Sequence, residues 1–227
     1  MRSLSLVIPV YGGEELLGKI LAHVPTLGAT AAEVGFELVE TILVDDGSPR
    51  PIEAAAIGEG CGGCRFLLMR NEKNRGKGYS VRRGALAARG AWVLMSDVDE
   101  SVPLAEFARL APFADQAMVC GSRRHGDDAR PFHRRLLSRL FNVLTGSRLK
   151  DTQCGFKLFN MALMRTAFER LRTERFAFDV ELIRRAPSVV EVPVKWVGGR
   201  RSSLKVWRDA PRMLWDTILI RCRRSGQ

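Results

Sequence analysis

Apolar and polar residues fall along this chain in blocks with two alternating periods. Leu4–Val10 is a nearly continuous apolar run that meets Pro9 and Tyr11-Gly12-Gly13, which predicts a buried strand followed by a turn. Glu14–Val24 then carries Leu16, Leu17, Ile20, Leu21 and Val24 at helical spacing. The same reasoning predicts strands at Leu38–Val44, Phe66–Met69, Trp92–Met95 and Met118–Gly121. It predicts helices at Pro51–Gly58, Gly78–Ala88 and Pro103–Leu110. Short apolar strands alternating with helices imply an α/β fold: a mainly parallel sheet with helices on both faces.

Beyond Gly121 the pattern changes. Pro131–Leu144 reads as an amphipathic helix, with Phe132, Leu136, Leu137, Leu140, Phe141 and Leu144 on the face expected to pack inward. A strand near Phe156–Phe159, helices at Leu163–Leu171 and Asp179–Ala186, and a strand at Val189–Val197 follow. A last helix can start at Asp209 as cap, with Pro211 in its first turn. It would set Ala210, Leu214, Trp215, Ile218 and Cys222 opposite Arg212, Asp216 and Arg223. The expected division is a catalytic domain over 1–203 and a basic amphipathic helix over 204–227.

In open α/β sheets, ligands bind outside the carboxyl ends of the strands. Three predicted strands end there on polar loops: Tyr11–Glu14, Asp45–Ser48 and Asp97–Glu100. In the stretch WVLMSDVDE, Asp97 and Asp99 lie two apart. Two carboxylates in a low-dielectric crevice need a compensating charge, and Mg²⁺ or Mn²⁺ supplies it through hard oxygen ligands shared with a diphosphate. A solvated strand-end loop is the plainer alternative for a D-x-D taken alone. Asp45-Asp46-Gly47-Ser48 suits a base and ribose, and Arg75-Gly76-Lys77-Gly78 opens a helix where amides favour anions. As three loops at matching ends of successive units, they describe a nucleotide-diphosphate site.

Charge sharpens this picture. The 227 residues hold 36 Lys and Arg against 25 Asp and Glu, a formal net charge of +11. The excess is local: eight basic residues lie in 123–150 against Asp127 and Asp128, and eight in 200–224 against Asp209 and Asp216. Such patches imply an anionic surface or ligand. A nucleic-acid module is disfavoured, because acidic loops would face the phosphate backbone and no recognised motif is present. A nucleotidyltransferase with the same metal chemistry stays open. Apolar runs fall short of the roughly 18 residues of a membrane span, and LSLVIPV is too short for a signal-peptide core. The five cysteines are scattered, which suggests a reducing compartment. Cys61-Gly-Gly-Cys64 has no second ligand pair, so it is read as a loop before a strand.

Several stretches resemble one family, the family 2 glycosyltransferases, whose fold is the Rossmann-like GT-A fold. They are VIPVYGGEE (7–15), ILVDDGS (42–48), NRGKGYSVRRGA (74–85), SDVDE (96–100), GSR (121–123), DTQCGFKLF (151–159) and FAFDVELI (176–183). The last two, with the ending SSLKVWRDAPRMLWDTILIR (202–221), are similar to the branch that includes dolichyl-phosphate glucosyltransferases and bacterial relatives acting on polyprenyl phosphates. The resemblance implies that Pro9, Tyr11 and Glu14 line the nucleotide pocket and that Asp45 and Asp46, with Gly47 and Ser48, meet base and ribose. It implies that Arg75, Gly76 and Lys77 lie in a loop closing on the nucleotide. It places Mg²⁺ or Mn²⁺ on Asp97 and Asp99, Asp151 and Gln153 beside sugar and acceptor, and Arg123 on a phosphate. Mannosyl-transferring relatives carry a Leu-Gln-His-Pro-Pro-like run after the metal motif. Glu100-Ser101-Val102-Pro103 stands here instead, which favours UDP-glucose over GDP-mannose.

The expected reaction is inverting transfer from a nucleotide-sugar to a polyprenyl-phosphate-type lipid. A phosphate acceptor is already anionic and needs no strong base. A sugar hydroxyl acceptor would need one, and Asp151 is then the first candidate, with turn capping as its alternative. Asp179 and Glu181 are expected to be structural or arginine-pairing. The basic patches fit peripheral binding at an anionic, cytoplasmic membrane surface, with Trp207 and Trp215 entering the interface.

Overall fold

In a computed structural model, the protein is described over residues 1–12, 14–53, 64–123 and 149–197. Among these residues seven strands form one sheet in the order β3-β2-β1-β4-β6-β5-β7. The strands are β1 (Arg2–Val10), β2 (Phe36–Asp45), β3 (Arg65–Arg70), β4 (Trp92–Met95), β5 (Met118–Ser122), β6 (Lys157–Asn160) and β7 (Val189–Pro193). All neighbours run parallel except β6, which is antiparallel to both β4 and β5. The expected α/β architecture is therefore present, with one reversed strand.

The helices are α1 (Glu14–Ala22), α2 (Val24–Glu33), α3 (Lys77–Ala87), α4 (Phe107–Leu110), α5 (Met161–Glu169) and α6 (Phe178–Arg185). Alternate strand residues enter opposite layers, as the two-residue period of a strand requires. Leu4, Leu6, Ile8 and Val10 of β1 join Leu17, Ile20 and Leu27 of α1 and α2 in one core. Val7 joins Val81 and Ala85 of α3, and Phe168 and Phe178 of α5 and α6, in the other. Each fully buried large apolar side chain contributes roughly 1.5–3 kcal/mol. Two such layers explain why the strands read as continuous apolar runs.

Several predicted boundaries shift. The helix expected over Glu14–Val24 stops at Ala22, and a second helix over Val24–Glu33 was not anticipated. Pro25 sits in the first turn of that second helix, where its missing N–H costs nothing. Its buried face, Val24, Leu27 and Ala31, has helical spacing diluted by small residues. Pro103–Leu110 resolves into short turns, Leu104–Glu106, Phe107–Leu110 and Ala111–Phe113, with Pro112 inside the last. The final described strand ends at Pro193 rather than Val197. Residues 51–53 are irregular, and the rest of the helix expected at Pro51–Gly58 lies outside the described residues. So do the helix expected at Pro131–Leu144 and the C-terminal helix of 204–227. Cys64, Cys120 and Cys154 are buried and form no disulfide, while Cys61 is not among the described residues.

Candidate active site

Parallel strands deliver their following loops to one rim, and β6, running the other way, delivers the segment before it to that same rim. Register makes the meeting specific. Met95 of β4 pairs with Lys157 of β6. Two residues past Met95 and two before Lys157, Asp97 therefore stands opposite Gly155. A Cβ on Gly155 would lie 1.8 Å from Asp97 Oδ2. The D-x-D loop and the DTQCG segment are in direct contact here through Asp97 and Gly155, 58 positions apart in sequence.

Asp97 is held from its other side too, because Lys77 Nζ lies 2.5 Å from its Oδ1. Asp99 Oδ1 accepts the Ser101 backbone N–H at 3.1 Å. Burial, and next the charge of Asp97, push the Asp99 carboxyl above the ordinary aspartate range. Glu100 follows Asp99 in the left-handed region at φ 48°. Its carboxylate meets His23 Nδ1 at 2.6 Å, so the junction of α1 and α2 anchors the acidic loop.

The loops beside it are held by carboxylates. Asp46 is buried; its Oδ2 accepts the Gly76 N–H at 2.7 Å, and its Oδ1 accepts the Arg75 N–H at 3.0 Å and Asn71 Nδ2 at 2.7 Å. Asp45 accepts the Ser48 N–H at 2.8 Å and pairs with Arg70, whose other nitrogen donates to the Ser48 carbonyl at 3.0 Å. Both aspartates expected at base and ribose are thus engaged with protein donors. Gly47 lies against the 73–74 backbone, and the Gly12 N–H donates to Ser48 Oγ at 3.0 Å. Gly76 has φ +112°, and any side chain on it would collide with the Glu174 carbonyl. Arg75 pairs with Glu174 and lies 3.8 Å over the Tyr79 ring. Tyr11 is exposed at the rim. Pro9 is buried in β1 beyond the last β4 pairing at Val7, where it costs no ladder donor on that side. Glu14 begins α1.

Across the rim, Arg123 follows β5. Its Nε and Nη2 donate to Asp151 Oδ2 and Oδ1 at 2.7 and 2.8 Å, and its backbone N–H donates to Oδ2 at 3.1 Å. Burial alone would lower the guanidinium pKa; the bonds and charge of Asp151 outweigh it and raise it. Asp151 is completely buried and orients Arg123, an arrangement that sequence spacing did not suggest for a candidate base. Glu191 of β7 accepts the Lys150 and Asp151 backbone amides at 2.8 and 2.7 Å. Gln153 has its amide nitrogen buried without a partner, a donor suited to a substrate oxygen.

Sequence reasoning missed the ion pair under this site. Lys157 is fully buried on β6, bonds the Cys154 carbonyl and lies 2.8 Å from Asp179 of α6. Burial lowers the ammonium pKa, but the Asp179 charge outweighs this and raises it. A lysine within the apolar run FKLF was the available signal, since lysine is seldom buried unpaired. Glu181 is a helix-to-loop tie, accepting Thr173 Oγ1 at 2.6 Å and Arg185 Nη2 at 3.0 Å. Burial lifts the Cys120 thiol to about 12 and the Cys154 thiol to about 11, which makes both inert as nucleophiles.

The residues fit a hard divalent cation. Two half-buried carboxylates lie close together, and the carboxyl of Asp99 is raised by burial and then by the charge of Asp97. Among the described residues no group of three or more His, Cys, Asp or Glu converges, so further ligands would come from substrate or water, as Mg²⁺ prefers.

A mostly parallel sheet with one reversed strand and acidic loops at this rim has the GT-A arrangement. The chain belongs to glycosyltransferase family 2, whose model, Glycosyl transferase family 2, matches residues 5–172. It is similar to the dolichyl-phosphate beta-glucosyltransferase of Dictyostelium discoideum, at 32% identity over 242 residues, covering 97% of this chain and 74% of that one. It is also similar to that of Homo sapiens, at 30% over 248 residues, 98% and 76%. Among solved structures it resembles mannosyl-3-phosphoglycerate synthase from Rubrobacter xylanophilus, with TM-score 0.69, 18% identity and coverage of 100% and 75%. A second is glucosyl-3-phosphoglycerate synthase from Mycobacterium tuberculosis in complex with Mn²⁺, UDP-glucose and phosphoglyceric acid, with TM-score 0.63, 18% identity and coverage of 97% and 80%. These two support the GT-A fold.

Proposed function

We propose that this glycosyltransferase moves glucose, with inversion, from UDP-glucose to a dolichyl- or polyprenyl-phosphate acceptor. The observation that carries the reading is the contact between Asp97 and the DTQCG segment, which brings the donor-side carboxylates beside Asp151, Gln153 and Arg123. The relatives' shared name supports the sugar and the acceptor.

Asp97 and Asp99 would hold Mg²⁺ or Mn²⁺. When bound, that ion offsets the charge of the donor diphosphate and of the leaving nucleotide. Tyr11 and the loops tied by Asp45 and Asp46 form the floor for the nucleotide. Arg75 and Lys77 lie where the loop fixed by Asp46 meets the donor phosphates. Arg123, aimed by the buried Asp151 through Nε and Nη2, is left its remaining guanidinium nitrogen to position the acceptor phosphate. The acceptor oxygen is already anionic, so no side chain has to remove a proton, and Asp151 is left to hold its arginine. No described helix is long and apolar enough to cross a membrane. The lipid acceptor is met by peripheral contact, for which the basic runs at 123–150 and 200–224 supply charge toward an anionic cytoplasmic surface.

The test supplies labelled UDP-glucose, polyprenyl phosphate and Mn²⁺ to the pure protein. Label should enter an organic-extractable, acid-labile product. Absence of that product with every nucleotide-sugar offered would refute the reading.

A further inference from the structure

Lys77 and the cation implied at the acidic loop both require Asp97. Lys77 Nζ is 2.5 Å from Asp97 Oδ1, and Asp97 Oδ2 is backed by the Gly155 main chain. The carboxylate is therefore packed between Gly155 on one side and Lys77 on the other. The Lys77 backbone is equally constrained. Asp46 fixes the two preceding amides, and Gly78 lies against Phe178 and the Thr173 carbonyl. What can move is the four-carbon stem of Lys77, whose ammonium is a compact, rotatable point charge.

We propose that Lys77 is an exchangeable counter-ion: it neutralises Asp97 while the site lacks donor, and passes to the donor diphosphate when a divalent cation takes over Asp97 and Asp99. The proposal rests on the metal-and-diphosphate reading above and adds a regulation to it. An ammonium and a divalent cation on one carboxylate repel each other. A cation arriving alone must therefore displace Lys77 without giving it a new partner. Asp179, the buried acid whose charge Lys77 also feels, is already taken by Lys157. A cation arriving with a diphosphate brings the new partner with it. Metal and nucleotide then bind cooperatively, and the two effects are reciprocal. The donor-free rim keeps a near-balanced charge, and a bare metal ion is held only weakly.

The experiment measures Mn²⁺ binding by loss of the free-ion electron paramagnetic resonance signal, and UDP binding by calorimetry at saturating Mn²⁺. Wild type, Lys77→Met, Lys77→Gln and Asp97→Asn are compared, each after a melting curve. With Lys77 removed, Mn²⁺ alone should bind about fivefold tighter, the scale of one half-exposed ion pair. UDP with Mn²⁺ should bind about tenfold weaker or worse, through loss of a charged hydrogen bond. These opposite signs are the signature, because a merely structural lysine would weaken both. Unchanged or weaker Mn²⁺ binding in both Lys77 variants overturns the exchange, while the metal reading survives if wild type takes up Mn²⁺ with UDP and Asp97→Asn does not. Wild type that takes up no Mn²⁺ even with UDP overturns both.

Discussion

Replacing Gly155 with alanine adds one methyl group at the point where β4 and β6 deliver their loops. That carbon would lie 1.8 Å from Asp97 Oδ2, 2.3 Å from Cγ and 2.8 Å from Oδ1. Ordinary contact begins near 3.4 Å, so the carboxylate has to retreat by about 1.5 Å. The atom struck first is the end of a side chain rather than backbone, and the Gly155 backbone lies outside the left-handed region, so an alanine can be accommodated there. An off-rotamer aspartate costs about 0.5–1.5 kcal/mol, and folding should survive. Function should not. A shift of about 1 Å at a reacting site costs on the order of 100-fold in rate, and the displaced carboxylate is one of two proposed to hold the cation. The expected outcome is a melting temperature within a few degrees of wild type, glucosyl transfer reduced about 100-fold, and weakened Mn²⁺ uptake with UDP. Radiolabel transfer, thermal melts and the spin-resonance assay report these separately. A Gly155→Ala enzyme with full turnover and unaltered Mn²⁺ uptake would refute the reasoning that joins the two segments.

Two further expectations concern charge. Burial and Asp97 raise the Asp99 carboxyl, so its protonated form is favoured in the fold: its contribution to stability is present in acid and is lost as pH rises through the raised value. Asp99→Asn should therefore melt higher than wild type at pH 7, by a margin that shrinks toward about pH 4, and should take up no Mn²⁺ with UDP; a margin that does not vary with pH in paired melts would contradict this. Lys157→Met leaves Asp179 buried without its cation and should cost about 3–5 kcal/mol in urea unfolding, most of it recovered by adding Asp179→Leu. A single variant within 1 kcal/mol of wild type would mean the pair is not ionised together.

Much of the architecture was written locally. Runs such as Leu4–Val10 and Trp92–Met95 are apolar on both faces because helices cover both sides, and that pattern alone implied the parallel sheet. Asp45–Ser48 and Asp97–Glu100 were legible as rim loops because a strand that ends on acids or glycines announces its own end, and Arg75–Gly78 was legible as the start of a helix. The helix Val24–Glu33 was obscured because alanine and glycine dilute its apolar stripe. Pro103–Leu110 was read as one helix because its apolar spacing is helical, while the structure divides it into a 3₁₀ turn at Leu104–Glu106 and a single α turn at Phe107–Leu110.

The pairing of those pieces was decided only in three dimensions. Nothing near Asp97 in the chain points to Gly155, nothing near Asp46 to the Arg75 and Gly76 amides, and nothing near Arg123 to Asp151. Each contact depends on strand order, and those of Gly155 and Asp151 also on the reversal of β6, which the whole core selects through the area it buries. A local stretch encodes its own period and its own turn. Which carboxylate ends up charged, paired or strained depends on neighbours brought in from elsewhere, and that is a property of the assembled sheet.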